Sequence, residues 1–134
     1  MKVYKGENAI YFIVFIVVYN LIPLVFFMIT DCFSNVWMII TWIVYYSCDI
    51  FLLPVLIRNY IELYDDHFIF YYGFSKEKIQ LKDILKMEKS RNPIASAANS
   101  LNRIHIITVK KDFYIALKEN DEFIKDVFQR KQKL

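Results

Sequence analysis

Ala9–Ile29 reads AIYFIVFIVVYNLIPLVFFMI, twenty-one residues without a charge, and Trp37–Ile57 reads WMIITWIVYYSCDIFLLPVLI, the same length with one charge at Asp49. Each matches the roughly 20 apolar residues that an α-helix needs to cross a hydrocarbon core of about 30 Å. A chain of 134 residues has too little other surface to bury two such helices in a water-soluble core. The pair therefore predicts a membrane-spanning helical hairpin, with spans at 9–29 and 37–57. The first span does not read as a cleaved signal, because its apolar run exceeds the roughly 7–15 residues of a signal core. Phe27, Met28 and Ile29 also stand where a cleavage site needs small residues. Pro23 and Pro54 fall inside the spans and predict kinks of the kind that neighbouring helices accommodate.

Charge divides the chain at the same place. Residues 1–57 hold five charged side chains, Lys2, Lys5, Glu7, Asp31 and Asp49; residues 58–134 hold fifteen Lys/Arg against eleven Asp/Glu. The C-terminal part is mildly basic, which suits an anionic membrane surface but falls short of a nucleic-acid-binding balance. The short link between the spans has no Lys or Arg, whereas Lys2 and Lys5 precede the first span and Arg58 follows the second. By the positive-inside rule both termini are cytoplasmic, and the protein sits in the cell membrane with the turn outside. Trp37 and Tyr60 mark the two interfaces. Cys32, in the turn, and Cys48, about halfway along the second span, lie at different depths and are read as free thiols.

Asp49 needs explaining, because a carboxylate near mid-span costs several kcal/mol unless it finds a partner, a proton or water. At a rise of about 1.5 Å per residue, Asn20 on the first helix lies within about 5 Å of its depth. Asp49 is then either part of a proton or ligand site, or a contact with Asn20 that holds the hairpin or an oligomer together. The second reading is preferred, since two helices offer no evident proton pathway. A polar residue in each span leaves self-association open.

After Arg58 the period changes from helix to strand. Tyr60–Tyr64 and His67–Tyr72 flank Asp65-Asp66, a hairpin with turn chemistry at its tip. Gly73 ends the second strand. Lys76–Leu81 alternates charged and apolar residues, Lys82–Ile84 turns, and Leu85–Lys89 makes a fourth strand. Ser90–Ser100 reads as a loop. Arg103–Val109 and Phe113–Leu117 form a second hairpin about Lys110–Asp112. From about Glu119, Phe123, Ile124, Val127 and Phe128 form one helical stripe, with Asn120 as the cap and Arg130, Lys131 and Lys133 at the C-terminal end. The expected architecture is a 1–57 membrane anchor followed by a 58–134 α+β domain of about six antiparallel strands and a C-terminal capping helix.

That order resembles a pleckstrin-homology-like (PH-like) domain. The stretch Asn92-Pro93-Ile94-Ala95-Ser96-Ala97-Ala98-Asn99-Ser100-Leu101-Asn102-Arg103-Ile104 is similar to the signature of a small bacterial PH-domain family that includes the sublancin immunity protein. This family also has many membrane-anchored relatives in Gram-positive bacteria. Its usual form is Asn-Pro-x-x-Ser-Pro-Ala-x-Ser-Leu-Asp-Arg-Leu/Ile; here Ala97 replaces the second proline and Asn102 the aspartate, which keeps an acceptor but loses the charge. The resemblance covers about residues 58–130. It implies the fold, and for function it implies bacteriocin immunity and protein binding.

The candidate interaction residues are Asn20 and Asp49 in the spans and Arg91, Asn92 and Arg103 around the loop. Arg103 with Asn102, and Arg91 with Asn92, make either an anion or peptide site or a loop folded over the sheet end, with Arg103 satisfying its carbonyls; the latter is preferred. His67 and His105 read as ordinary strand residues, without cysteine or acidic partners at ligand spacing, and no metal or cofactor motif is present. Asp65-Asp66 at the first hairpin turn repels phosphate, which argues against head-group recognition there. No nucleophile–base pair or phosphate loop can be assembled, so an enzyme is not expected. Two functions remain. One is an immunity protein that binds a peptide bacteriocin or masks its membrane target. The other is a scaffold or regulatory subunit that binds another membrane protein.

Overall fold

The computed structural model describes residues 1–29, 36–91 and 99–134. Strands β2 (Asn59–Leu63) and β3 (His67–Tyr72) pair antiparallel across the Asp65-Asp66 turn, with Ile61 opposite Phe70 and Leu63 opposite Phe68. Alternate residues point to opposite faces of a strand, so Ile61, Leu63, Phe68 and Phe70 share the buried face. β4 (Ser75–Gln80) continues this sheet, and β5 (Ile84–Ser90), β6 (Arg103–Thr108) and β7 (Asp112–Ile115) form a second, three-stranded sheet. A single 3-10 turn, Leu81–Asp83, carries the chain between the sheets. The two sheets and the C-terminal helix α4 (Asn120–Lys131) enclose one apolar cluster.

The first sheet has a fourth strand that the sequence did not announce. β1 (Lys2–Lys5) lies before the apolar stretches, yet it pairs antiparallel with β2, Tyr4 opposite Ile61 and Lys5 opposite Tyr60. Lys2 and Lys5 are therefore sheet residues as well as flanking charges. Among the described residues the domain has seven strands, in sheets of four and three, and its first strand comes from the segment expected to be anchor alone. An isolated bridge between Gly6 and Leu117, with Lys118 N–H donating to Lys5 O at 3.1 Å, ties the end of β1 to the chain beyond β7.

Between β1 and β2 lie the apolar helices, α1 (Ile10–Ile29), α2 (Val36–Ser47) and α3 (Asp49–Ile57). α1, and α2–α3 taken together, are long and apolar enough to cross a membrane; within the most apolar part of each, only 11% of α1 and none of α2–α3 is buried in the chain. Such exposure is not that of a core helix in a water-soluble protein, whose apolar face packs inward. α1 runs unbroken through Pro23, and the second stretch breaks at Cys48 rather than at Pro54. The inter-helix turn, including Asp31 and Cys32, lies outside the described residues; Cys48 is a free thiol.

Helix α4 closes the core. Its Phe123 is fully buried and meets Tyr4 and Phe68 edge-on, at centroid distances of 5.2 and 5.6 Å. Tyr4, from β1, is 1% exposed and donates its hydroxyl to Asp126 Oδ2 at 2.5 Å, while Lys2 Nζ reaches the same oxygen at 2.8 Å and Glu122 at 2.6 Å. β1 is thus bound on one edge to β2 and on one face to α4. The Lys2 ammonium, then the Tyr4 hydroxyl, hold the Asp126 carboxyl below its ordinary value near 3.8. Burial, then the Asp126 carboxylate, push the Tyr4 phenol up to about 12. A depressed carboxyl contributes stability that is full above its unfolded value and is lost as pH falls through the folded value. We expect thermal unfolding of the full chain to show a Tm drop below about pH 4 that is steeper in wild type than in Asp126→Asn. Parallel pH profiles for the two proteins would refute a stabilising role for this cluster.

Candidate functional site

The polar groups of the two apolar stretches meet at one level. Tyr19 donates its hydroxyl to Tyr45 O at 2.9 Å, and Tyr45 donates its own to Tyr19 O at 2.7 Å; the rings stack 4.3 Å apart. The neighbouring Asn20 Nδ2 donates to Asp49 Oδ1 at 3.3 Å and to Ile16 O at 3.0 Å. Side-chain bonds to main-chain carbonyls compete with the helical ladder, and here they coincide with the break in the second stretch. The Tyr45 carbonyl accepts from Tyr19 and, at 3.2 Å, from the Cys48 N–H three residues on, where a regular turn would reach a fourth. Asn20 and Asp49 are therefore in contact, and among the described residues Asn20 is the one hydrogen-bond partner of the Asp49 carboxylate.

A second polar cluster joins the hairpin to the sheets. Asn8, just before α1, donates to Leu56 O near the end of α3 at 2.9 Å and accepts from Asn59 at 3.2 Å and Asn99 at 2.7 Å. Asn99 Oδ1 accepts the Tyr72 hydroxyl at 2.5 Å, and Asn99 O accepts from Ala9 N–H at 3.0 Å. Asn59 and Asn99 are 8% and 3% exposed, so each bond replaces a lost contact with water. Burial raises the Tyr72 phenol above its ordinary value.

Both glycines of the chain stand at this junction. A Cβ on Gly6 would lie 2.1 Å from Asn59 Cγ, inside the clamp. Gly73 has φ +57°, a left-handed backbone that glycine adopts without cost, and a Cβ there would lie 2.9 Å from Val55 Cγ2 on α3. Next to it, Phe74 packs edge-on against Phe51 of α3 at 6.3 Å.

The described part of the signature stretch, Asn99 to Ile104, serves the same junction. Arg103 is 4% exposed, and its Nε donates to Ser100 O at 2.5 Å. The Asn102 N–H donates to Ser100 Oγ at 3.2 Å and its side chain to Glu7 Oε2 at 3.2 Å. Asn120 Nδ2 donates to Asn102 O at 3.1 Å, and its Oδ1 accepts from Leu117 N–H at 3.0 Å. The stretch thus laces the hairpin foot to the start of α4. Arg103 faces inward, whereas Arg91 is exposed at the end of β5. Asn92, the remaining loop candidate, lies outside the described residues.

Both histidines lie on strands, as their sequence context suggests, and the fold sets acidic side chains beside them. His67 Nδ1 is 2.6 Å from Asp66 Oδ1 and its ring stacks on Tyr64; His105 lies 3.1 Å from Asp112 Oδ2 and 3.6 Å from Glu88 Oε1 and stacks on Tyr114. These carboxylates come from a turn and from cross-strand neighbours, so spacing along one strand does not reveal them. Among the described residues no group of three or more His, Cys, Asp or Glu converges to hold a metal.

A family model described as bacterial PH domain matches residues 59–131. The chain belongs to the bacterial PH domain family. Its match starts at β2 and ends at the last residue of α4, so β1 and the apolar helices lie outside the matched span. A search of curated proteins finds no match at a significant level. In this member of the family, β1 and β2 of the PH sheet flank an apolar hairpin, and the asparagine clamp closes the junction. Gly6→Ala places a methyl group in that clamp and leaves buried amides short of partners, at a cost of about 1–3 kcal/mol. We expect a correspondingly lower midpoint of thermal unfolding for the full chain, with a smaller loss for Gly6→Ala/Asn59→Ala, which makes room for the methyl. An equal loss in the double variant would count against the steric account.

Proposed function

We propose that the hairpin crosses the cell membrane and that the PH domain, held against the cytoplasmic leaflet, is an immunity module protecting its cell from a peptide bacteriocin. The observation that carries the reading is the junction. β1 ends at Lys5 and β2 begins at Asn59, Gly6 N–H donates to Asn59 O at 2.7 Å, and the asparagine clamp fills the space between. A domain fastened this closely acts on targets at or in the membrane. The resemblance of Asn92–Ile104 to the family that includes the sublancin immunity protein supplies the rest: a small membrane-held module that binds the toxin or masks its target. Expression of the full chain in a sensitive bacterium should raise its tolerance to a peptide bacteriocin encoded beside the gene. Unchanged sensitivity at normal membrane levels of the protein would rule the reading out.

One observation favours a second reading, a scaffold or regulatory subunit for another membrane protein. Among the described residues the Asp49 carboxylate has a single hydrogen-bond partner, Asn20, and Trp42 Nε1 is buried without an acceptor. Polar groups at membrane depth face partners when they are retained, and a neighbouring helix would complete the partly exposed Asp49 carboxylate. The tagged full chain should then copurify with a membrane protein in mild detergent, and Asp49→Leu should release it while Asp49→Asn, which keeps an acceptor, should not. Isolation of the wild-type chain alone, or equal capture by all three, would exclude the subunit role.

A further inference from the structure

At the foot of the hairpin an open groove of about 640 Å³ changes character along its height. Ile13 of α1 and Leu56 and Ile57 of α3 form its upper wall, and Lys5, Lys118 and Asn59 stand below. The apolar residues belong to the first turn of α1 and the last turn of α3. The bond from Lys118 N–H to Lys5 O holds the two lysines side by side. Both are exposed, and among the described residues neither has a carboxylate partner. By contrast, Lys2, Lys89, Lys111 and Arg130, further from the foot, are paired with acids. Glu62 reaches the lower end of the groove, but its carboxylate accepts the hydroxyls of Tyr64 and Tyr71 at 3.2 and 3.3 Å.

The cations do not end at the groove. Cross-strand register lines up Lys5, Tyr60, Tyr71 and Lys76 in one row over β1 to β4. Tyr60 and Tyr71 stack at 4.6 Å, with the Arg58 guanidinium 4.9 Å and the Lys76 ammonium 5.4 Å from the Tyr71 ring centroid. Such contacts hold cations in place without neutralising them. The row therefore sets positive charge at the end of β1 and one residue inside the neighbouring ends of β2, β3 and β4. Phe74 at the β3–β4 turn rises beyond it to the side of α3.

An apolar wall above a cationic floor matches the layering of one kind of molecule. We infer that the groove is a binding site for an anionic phospholipid, its phosphate between Lys5 and Lys118 and its acyl chains against Ile13, Leu56 and Ile57. The inference rests on the reading that the hairpin spans the membrane. It goes beyond general attraction to a charged surface, because it assigns a stoichiometric site to two lysines.

The test uses the full chain in mild detergent, with phosphatidylglycerol or phosphatidylcholine added and bound lipid counted by native mass spectrometry. Phosphatidylglycerol should stay bound at one molecule per chain, in preference to phosphatidylcholine. Lys5→Gln/Lys118→Gln should lower its retention roughly ten-fold or more through loss of two lysine–head-group attractions. Lys82→Gln/Lys133→Gln, the same change of charge away from the groove, should leave it unaltered, and soluble glycerol phosphate should not displace the lipid. Equal retention of the two lipids, equal loss in both double variants, or displacement by glycerol phosphate would each overturn the site. Alkaline carbonate extraction separates the two readings. Release of wild type from membranes overturns the spanning helices and the site with them, whereas retention of wild type without lipid preference overturns the site alone.

Discussion

The rest of the structure depends on the pairing of β1 with β2 across the whole apolar hairpin. Four residues, Lys2–Lys5, take the free edge of β2. Without them the first sheet would lose its outer strand, and Phe123 would lose the buried face of Tyr4. Unpaired strand edges are an aggregation hazard that folded proteins cover, and here the cover comes from the far side of the helices. The same pairing brings the ends of α1 and α3 together. Only residues 6–9 and Arg58 separate helix from sheet, so the hairpin and the PH domain share one foundation.

Polar chemistry is concentrated at two levels, each joining elements that apolar contact alone would leave loosely defined. Between the helices, the reciprocal tyrosine bonds and the Asn20–Asp49 contact fix depth and rotation. At the foot, Asn8, Asn59 and Asn99 do the same for helix against sheet. Apolar side chains pack without strong directional preference, whereas hydrogen bonds specify both distance and angle. An amide serves well here because it donates and accepts at once; Asn8 does both, to Leu56 and from its two partners.

Much of this was legible before any fold was known. The two apolar runs mark the helices because length and composition alone decide that signal, and the strand alternation of Tyr60–Tyr72 places Ile61, Leu63, Phe68 and Phe70 on one face, where they lie buried. Phe123 and Val127 were readable from their helical spacing, and the depth estimate for Asn20 and Asp49 led to the pair that forms. Other features depend on relations that a linear reading cannot see. β1 buries one residue, Tyr4, and its partner lies more than fifty positions away, so neither periodicity nor a local turn exposes it. The break at Cys48 coincides with a bond to the Tyr45 carbonyl from a hydroxyl on another helix. Gly6 looks like an ordinary link until Asn59 is placed against it, and the acids beside His105 arrive from two neighbouring strands.

The position of β1 also orders the way the molecule can assemble. An open chain between Lys5 and Asn59 would have to close a loop of about fifty residues, an entropic cost on the order of 4 kcal/mol. A hairpin that has already folded back on itself brings the two ends together and removes most of that cost. Tyr4 is synthesised before either helix, yet its place beside Phe123 costs least to reach once both helices have formed and turned. The completed sheet is therefore a checkpoint: in the finished protein, a closed PH domain reports that the hairpin next to it has folded correctly.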